Sequence, residues 1–172
     1  MTPPSKADRR GGDLPSFLKI QIDGAARGNP GPAGVGAVLT DSSGRVRSEI
    51  SLFLGEATNN VAEYCGLIVS LEEALRLGCM RVHVETDSEL LARQVTGLYR
   101  VRDRQLQWLH ALAGRLVSMF SDFEILHIPR LRNRAADRLA NRAVSDGLQA
   151  GFRSRRRAKS QPMDEAVQPT LF

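Results

Sequence analysis

Short apolar runs near the start of the chain lie at residues 17–23, 35–40 and 46–54. In the first of them apolar and polar residues alternate, and a period of two is typical of strands that are buried on one face. A turn rich in Gly and Pro separates the first two runs, and residues 41–44 have the composition of a hairpin turn. The pattern therefore predicts three strands that form an antiparallel meander.

From residue 60 onward, apolar residues instead recur every three or four positions, a spacing typical of amphipathic helices. It predicts helices at residues 60–78, 88–95, 104–119 and 133–144, with Trp108 at the border of the core. Two further apolar runs predict strands at residues 81–86 and 123–128. The order βββαβααβα predicts an α/β domain with a five-stranded mixed sheet, in which three antiparallel strands precede two parallel ones and helices flank the sheet.

Both ends of the chain lack this periodicity. Residues 1–16 are rich in Pro, Gly and charged residues, and we expect them to be disordered. Residues 148–172 carry five basic and two acidic side chains and are predicted to form a disordered basic tail. One folded domain at residues 17–147 remains, and it is almost neutral. The net charge of +5 therefore fits a nucleic-acid partner but says little about the domain itself.

Length and composition exclude several classes of protein. A chain of 172 residues is long enough to bury a core without disulfides, and its two cysteines, Cys65 and Cys79, are most simply reduced thiols. No apolar run reaches membrane-spanning length, and the first residues lack the apolar segment of a signal peptide. We therefore expect a cytoplasmic protein without a membrane partner, and a monomer by default.

Four acidic residues lie at the ends of predicted elements. Asp23 and Asp87 each follow a predicted strand, whereas Glu63 and Asp137 lie in predicted helices. Taken singly, each has an ordinary explanation, such as a surface turn, a helix cap provided by Thr58 or Asp87, or a solvated helix face. If the fold brings them together, their carboxylates repel one another unless cations lie between them. Such a site binds hard divalent metal ions and suits the hydrolysis of phosphodiesters.

The segments around these residues resemble ribonuclease H type 1. The matching segments are IDGAARGNPGPAG, ATNNVAEYCGL, VETDSELL and RNRAADRLANRAV, and the resemblance covers residues 18–144. It implies an RNase H-like fold and an endonuclease that hydrolyses the RNA strand of RNA/DNA hybrids, leaving 5′-phosphate and 3′-hydroxyl ends. It also implies that the four acidic residues are catalytic and bind two Mg²⁺ ions, which Mn²⁺ can replace.

The same resemblance implies contacts with nucleic acid. The RNA-contacting loops of the family correspond to Asn29, Asn59 and Asn60, and Thr58 matches a position that holds a phosphate of the DNA strand. Further predicted nucleic-acid-binding residues are Ser88, Asn133 and Arg130.

The chain departs from the pattern of many relatives in three places. Its segment before the last helix lacks their His, so Arg130 is expected to serve in part in its place. Their basic protrusion is reduced to residues 98–102, and Glu89 stands where they have Gln. Two alternatives therefore stay open: a non-catalytic hybrid-binding module, and another nuclease of the same superfold. An exonuclease is disfavoured because the first strand lacks Asp-x-Glu.

The last five residues resemble the QxxLF peptide by which bacterial replication and repair proteins bind the sliding clamp. Gln168, Leu171 and Phe172 would be its contacts. A basic run at residues 153–159 is either a phosphate-binding segment or a solubilising linker.

Overall fold

The computed structural model describes residues 14–160, with side chains described as far as residue 151. Within this part of the chain the strands are β1 (Leu18–Ala26), β2 (Gly31–Asp41), β3 (Val46–Ala57), β4 (Arg81–Thr86) and β5 (Asp122–His127). The helices are α1 (Asn59–Arg76), α2 (Glu89–Val95), α3 (Arg104–Val117) and α4 (Arg134–Ser160), and a short 3₁₀ turn at Arg130–Arg132 precedes α4. The predicted order of elements is confirmed.

The sheet has the strand order β3-β2-β1-β4-β5. Strands β1, β2 and β3 pair antiparallel, whereas β4 runs parallel to both β1 and β5. The predicted five-stranded mixed sheet is therefore confirmed. Because β1 and β4 are parallel neighbours, with Ile22 paired to Thr86, their carboxyl ends lie at the same edge of the sheet. The residues that follow these two positions, Asp23 and Asp87, are thus brought side by side.

Helices cover both faces of the sheet. Successive strand residues point to opposite faces, and Gly24 contacts α1, whereas Gly36 contacts α4. Helices α1 and α3 pack against each other, and together with α2 they enclose the main core between themselves and β1, β2 and β4. Helix α4 packs on the other face, across β1, β2 and β3. No helix in the described range is both long and apolar enough to cross a membrane.

Helix α4 lies unusually close to the sheet. A Cβ atom added to Gly36 would collide with the backbone of Ala136 and Ala140, and one added to Gly34 would lie 2.8 Å from the Cβ of Ala143. Glycine on the strand and alanine on the helix therefore allow backbone-to-backbone contact. The small side chains of Ala136 and Ala140 are what allow this close packing.

Two features differ from the sequence-based expectations. Helix α4 was expected to end at Val144 but continues to Ser160, so residues 148–160 are helical rather than part of a disordered tail. Arg, Ala, Gln and Lys dominate this extension, and these residues favour helix even without a buried face. Trp108, expected at the border of the core, is 74% exposed. The expectations for residues 1–13 and for Gln168, Leu171 and Phe172 lie outside the described residues.

Candidate active site

Three of the four predicted metal ligands meet at the carboxyl edge of β1 and β4. Asp23, Glu63 and Asp87 each offer a carboxylate oxygen, and these oxygens lie within 4.8 Å of one another. Asp23 and Asp87 come from neighbouring parallel strands, while Glu63 reaches them from the beginning of α1. The arrangement is the one expected for carboxylates that share a divalent cation.

Helix α1 can bring Glu63 this close because the residue after Asp23 is a glycine. A Cβ atom on Gly24 would collide with the backbone nitrogen of Glu63 and lie 2.7 Å from the carbonyl carbon of Ala62. The Gly24 backbone also donates a hydrogen bond to the Glu63 carboxylate, which orients it. At the start of the helix, the Thr58 hydroxyl accepts a hydrogen bond from the Val61 backbone at 3.3 Å, so the predicted cap is confirmed.

The carboxylates are buried, and among the residues that line their cleft Arg130 is the one basic side chain. Asp23 and Glu63 are each only 4% exposed. Burial, followed by the charge of Asp87, raises the pKa of Asp23 to about 8. Burial and then the charge of Asp23 raise the pKa of Glu63 well above its ordinary value. Within the described range one oxygen of Glu63, Oε2, has no hydrogen-bond partner. Burial and repulsion between the carboxylates outweigh the charge of Arg130 in both pKa shifts, and the all-oxygen donor set fits a hard metal ion.

The fourth predicted ligand, Asp137, is not part of this group of three. It lies in the first turn of α4, where Arg130 donates a hydrogen bond from Nη2 to Asp137 Oδ1 at 2.8 Å. Asp137 is nevertheless close enough for its charge to contribute to the raised pKa of Asp23. The sequence therefore placed Asp137 at the right edge of the sheet, but in this structure its carboxylate pairs with Arg130.

Asn133 has a different role from the one expected. It is 0% exposed, so the prediction that it contacts nucleic acid is wrong. Its Nδ2 donates to the Ile22 carbonyl at 2.7 Å and to Asp87 Oδ1 at 2.8 Å. Asn133 thus ties Asp87 to β1 and orients a candidate metal ligand. Its burial follows from the 3₁₀ turn before α4, which the spacing of apolar residues did not predict.

The carboxylates line an open cleft of about 360 Å³. Three predicted nucleic-acid-binding residues also line it, namely Asn59, Ser88 and Arg130. Asn29 is exposed and accepts a hydrogen bond from the Asn59 backbone at 3.2 Å, which places it beside this cleft. Asn60 is exposed on the same first turn of α1. Ser88 also caps α2, because its hydroxyl accepts a hydrogen bond from the Leu91 backbone at 3.3 Å.

The cleft has one polar lining residue that the sequence analysis missed, Asn141. It lies one helical turn after Asp137, and its Nδ2 donates to the Asp137 carbonyl at 2.9 Å. The spacing of four residues from a predicted ligand was the available signal, since such residues share a helix face.

Comparisons with known proteins agree with this geometry. A family model described as Reverse transcriptase-like matches residues 21–143. Ribonuclease HI of Halobacterium salinarum is 42% identical over 137 residues, which are 80% of this chain and 67% of that protein. Bifunctional protein Rv2228c of Mycobacterium tuberculosis is 44% identical over 132 residues, or 76% of this chain, but the match spans only 36% of that longer protein. The crystal structure of LC11-RNase H1 in complex with an RNA/DNA hybrid matches with a TM-score of 0.73 and 42% identity, covering 76% of this chain and 99% of that one.

Proposed function

Because the chain belongs to the Reverse transcriptase-like family and, within it, to the ribonuclease H type 1 proteins, we propose that it is a divalent-metal-dependent endonuclease. Its substrate is the RNA strand of RNA/DNA hybrids, and its products carry 5′-phosphate and 3′-hydroxyl ends. The observation that carries the proposal is the convergence of Asp23, Glu63 and Asp87 in one polar cleft, with a Glu63 oxygen that has no partner among the described residues. The crystal structure of LC11-RNase H1 with a bound RNA/DNA hybrid supports the choice of substrate.

The residues that would hold Mg²⁺, as two ions, or Mn²⁺, are Asp23, Glu63, Asp87 and Asp137. Bound cations would supply a water of lowered pKa and would stabilise the negative charge on the leaving oxygen. The protein's own contribution is to hold the ligands in place before the substrate arrives. Asn133 fixes Asp87, and the Gly24 backbone orients Glu63. Arg130 holds Asp137 at the rim of the cleft and would exchange this contact for a substrate phosphate.

Recognition of the hybrid would fall to the polar groups around the cleft. Asn59 lines the cleft, Asn29 accepts a hydrogen bond from the Asn59 backbone, and Asn60 is exposed on the same helical turn. Their amides can donate to and accept from the 2′-hydroxyl groups that distinguish RNA from DNA. Thr58 and Ser88 stand at the starts of α1 and α2, where backbone N–H groups favour phosphate. Because the cleft is lined by carboxylates and amides, we expect it to recognise the backbone of the hybrid and not its base sequence.

The cellular setting is part of the same proposal. Both cysteines, Cys65 and Cys79, are free, which fits a cytoplasmic protein. We assign it to the removal of RNA from hybrids during DNA replication, as a monomer that binds the sliding clamp through Gln168, Leu171 and Phe172. The support for the clamp is the QPTLF sequence alone. Saturable binding of the tail peptide to the clamp, lost on Leu171→Ala with Phe172→Ala, is the expected result; no binding, or equal binding by both peptides, would exclude it.

The decisive experiment is cleavage of one labelled strand in Mg²⁺, presented as RNA/DNA hybrid, RNA duplex, DNA duplex and single strand. Wild-type protein is compared with Asp23→Asn and with a control, Asp122→Asn, which alters an exposed carboxylate at the start of β5. We expect cleavage confined to the RNA of the hybrid, lost in the first variant and retained in the second. Hybrid binding without cleavage in either Mg²⁺ or Mn²⁺ would instead identify a non-catalytic binding module.

A further inference from the structure

Positive charge in this protein is concentrated on one helix. Helix α4 carries eight basic side chains and two acidic ones, a net charge of +6, whereas the whole chain has a net charge of +5. All other residues together are therefore slightly negative. This distribution was not evident from the sequence, because five of the eight basic side chains lie in a segment that was expected to be a disordered tail.

Within the part of α4 whose side chains are described, the basic residues form a row. Arg134, Arg138 and Arg142 are four residues apart, so they lie on one face of the helix. All three are exposed, while the opposite face is buried through residues such as Ala140 and Val144. Among the described residues Arg134 and Arg138 have no acidic partner, and the only ion pair of Arg142 is a long one, 3.8 Å to Asp146. We call these three residues the α4 arginine row.

The α4 arginine row begins beside the carboxylate cleft. Asn141, which lines the cleft, lies on the same helix between Arg138 and Arg142. A further arginine, Arg27, follows the cleft-lining end of β1 and donates a hydrogen bond from Nη2 to Ser145 Oγ at 2.6 Å. A chain that leaves the cleft over Asn141 would therefore pass directly onto the row.

We propose that the α4 arginine row binds phosphates of the nucleic-acid strand that enters the carboxylate cleft, next to the bond that is cut. The eight residue steps from Arg134 to Arg142 span about 12 Å of helix, which corresponds to roughly three or four nucleotide steps. Guanidinium groups match phosphate geometry and need no base-specific contact. The row would thus hold the strand irrespective of sequence, on the α4 side of the cleft. This inference rests on the proposed function, since it takes a nucleic acid as the occupant of the cleft.

Charge complementarity favours this occupant over a protein surface of ordinary composition. An apolar partner helix would have to desolvate three guanidinium groups without offering them acceptors, which is costly. A polyanion instead supplies an acceptor at regular intervals and releases its own counterions on binding. Elsewhere in the chain, the segment at residues 98–102 carries two further arginines, Arg100 and Arg102.

The test measures how salt weakens the binding of a fluorescent RNA/DNA hybrid. Arg134, Arg138 and Arg142 are changed together to Gln in the Asp23→Asn background, so that the hybrid stays intact; Gln is nearly as good a helix former as Arg. A control with the same loss of charge changes Arg45, Arg81 and Arg115 to Gln; these lie in the β2–β3 turn, at the start of β4 and in the last turn of α3. Circular dichroism and thermal unfolding establish that both triple variants are folded.

If the three arginines each contact a phosphate, the slope of log affinity against log salt falls by about 2.7 in the row variant. Raising salt from roughly 50 to 200 mM then weakens the row variant about 40-fold less than its parent, while the control keeps the parent's slope. Equal slopes in all three proteins, or equal losses in both triple variants, would overturn the proposal. Cleavage by the protein with Asp23 intact is measured separately, so a failure of the proposed nuclease activity is distinguishable from a failure of the row.

Discussion

At neutral pH the carboxylate site should lower the free energy of unfolding of the metal-free protein, relative to a variant that lacks one of the carboxylates. Replacing Asp23 with Asn removes a buried carboxyl group whose ionisation the folded protein opposes, but it keeps the size and polarity of the side chain. The amide also offers an N–H group to the neighbouring Asp87, with which Asp23 already shares a hydrogen bond. We therefore expect Asp23→Asn to stabilise the metal-free protein.

The size and pH dependence of the effect follow from the pKa of Asp23. Its ordinary value is 3.8, and in the folded protein it is raised to about 8. Because the folded state holds the proton more tightly than the unfolded state, stability is full below about pH 4 and is lost as the pH rises through 8. The difference between the two pKa values sets a ceiling of about 6 kcal/mol, at about 1.4 kcal/mol per unit. We expect roughly 2–4 kcal/mol, because the cleft is open and water solvates part of the charge.

Urea unfolding in EDTA measures the free energy of unfolding at about pH 5 and about pH 8.5. The proteins compared are wild type, Asp23→Asn and the control Asp122→Asn. Wild type and control should lose more free energy of unfolding between the two pH values than Asp23→Asn does. Adding Mg²⁺ at the higher pH should restore stability to wild type and change the variant less, because a ligand that binds only the folded state stabilises it. If Asp23→Asn is the less stable protein at about pH 8.5, the carboxylates do not repel one another as the structure indicates.

Two further predictions concern residues that hold the site together. Asn133→Ala removes the hydrogen bonds to Asp87 and to the Ile22 carbonyl and should cost roughly 1–3 kcal/mol. As a positioning residue it should also raise the Mg²⁺ concentration for half-maximal cleavage by roughly 10–100-fold, a shift that lowered stability alone would not produce. Gly36→Ala places a methyl group against the α4 backbone and should destabilise the protein by about 1–3 kcal/mol in chemical denaturation. Its control, Gly114→Ala on α3, meets nothing within 4 Å and should be neutral or slightly stabilising.

The hydrophobic pattern predicted the order of elements and the sheet but was less successful at their ends. Strand β2 was expected to begin at residue 35, whereas it begins at Gly31. Its glycines carry no side chain to mark the buried face, so the start of the strand shows no apolar pattern. Glycine at these positions allows α4 to pack against the strand backbone. The end of α4 was missed because the sequence of residues 148–160 shows no apolar period.

The chemistry of the site was predicted by residue type, and its geometry was not. Asp23 and Asp87 could be placed together because parallel neighbouring strands end at the same edge. The direction of Asn133 could not be predicted, because it depends on the 3₁₀ turn that carries its side chain inward to Asp87. The pairing of Asp137 with Arg130 could likewise not be predicted. The two residues are seven positions apart, and the segment between them is irregular before it enters the first turn of α4.

The position of Asp137 depends on Gly36, which lies far from Asp137 in the sequence and pairs with Asp23 between β1 and β2. Negative charge at the cleft tends to push the start of α4 away from the sheet, since Asp137 adds to the raised pKa of Asp23. Backbone contact between α4 and Gly36 opposes this displacement. Such contact deforms less than side-chain packing does, because no side chain can change its rotamer to adjust. The glycine of β2 therefore sets the distance between the fourth carboxylate and the other three. It also sets the height of the α4 arginine row beside the cleft, so that catalysis and strand binding share one structural determinant.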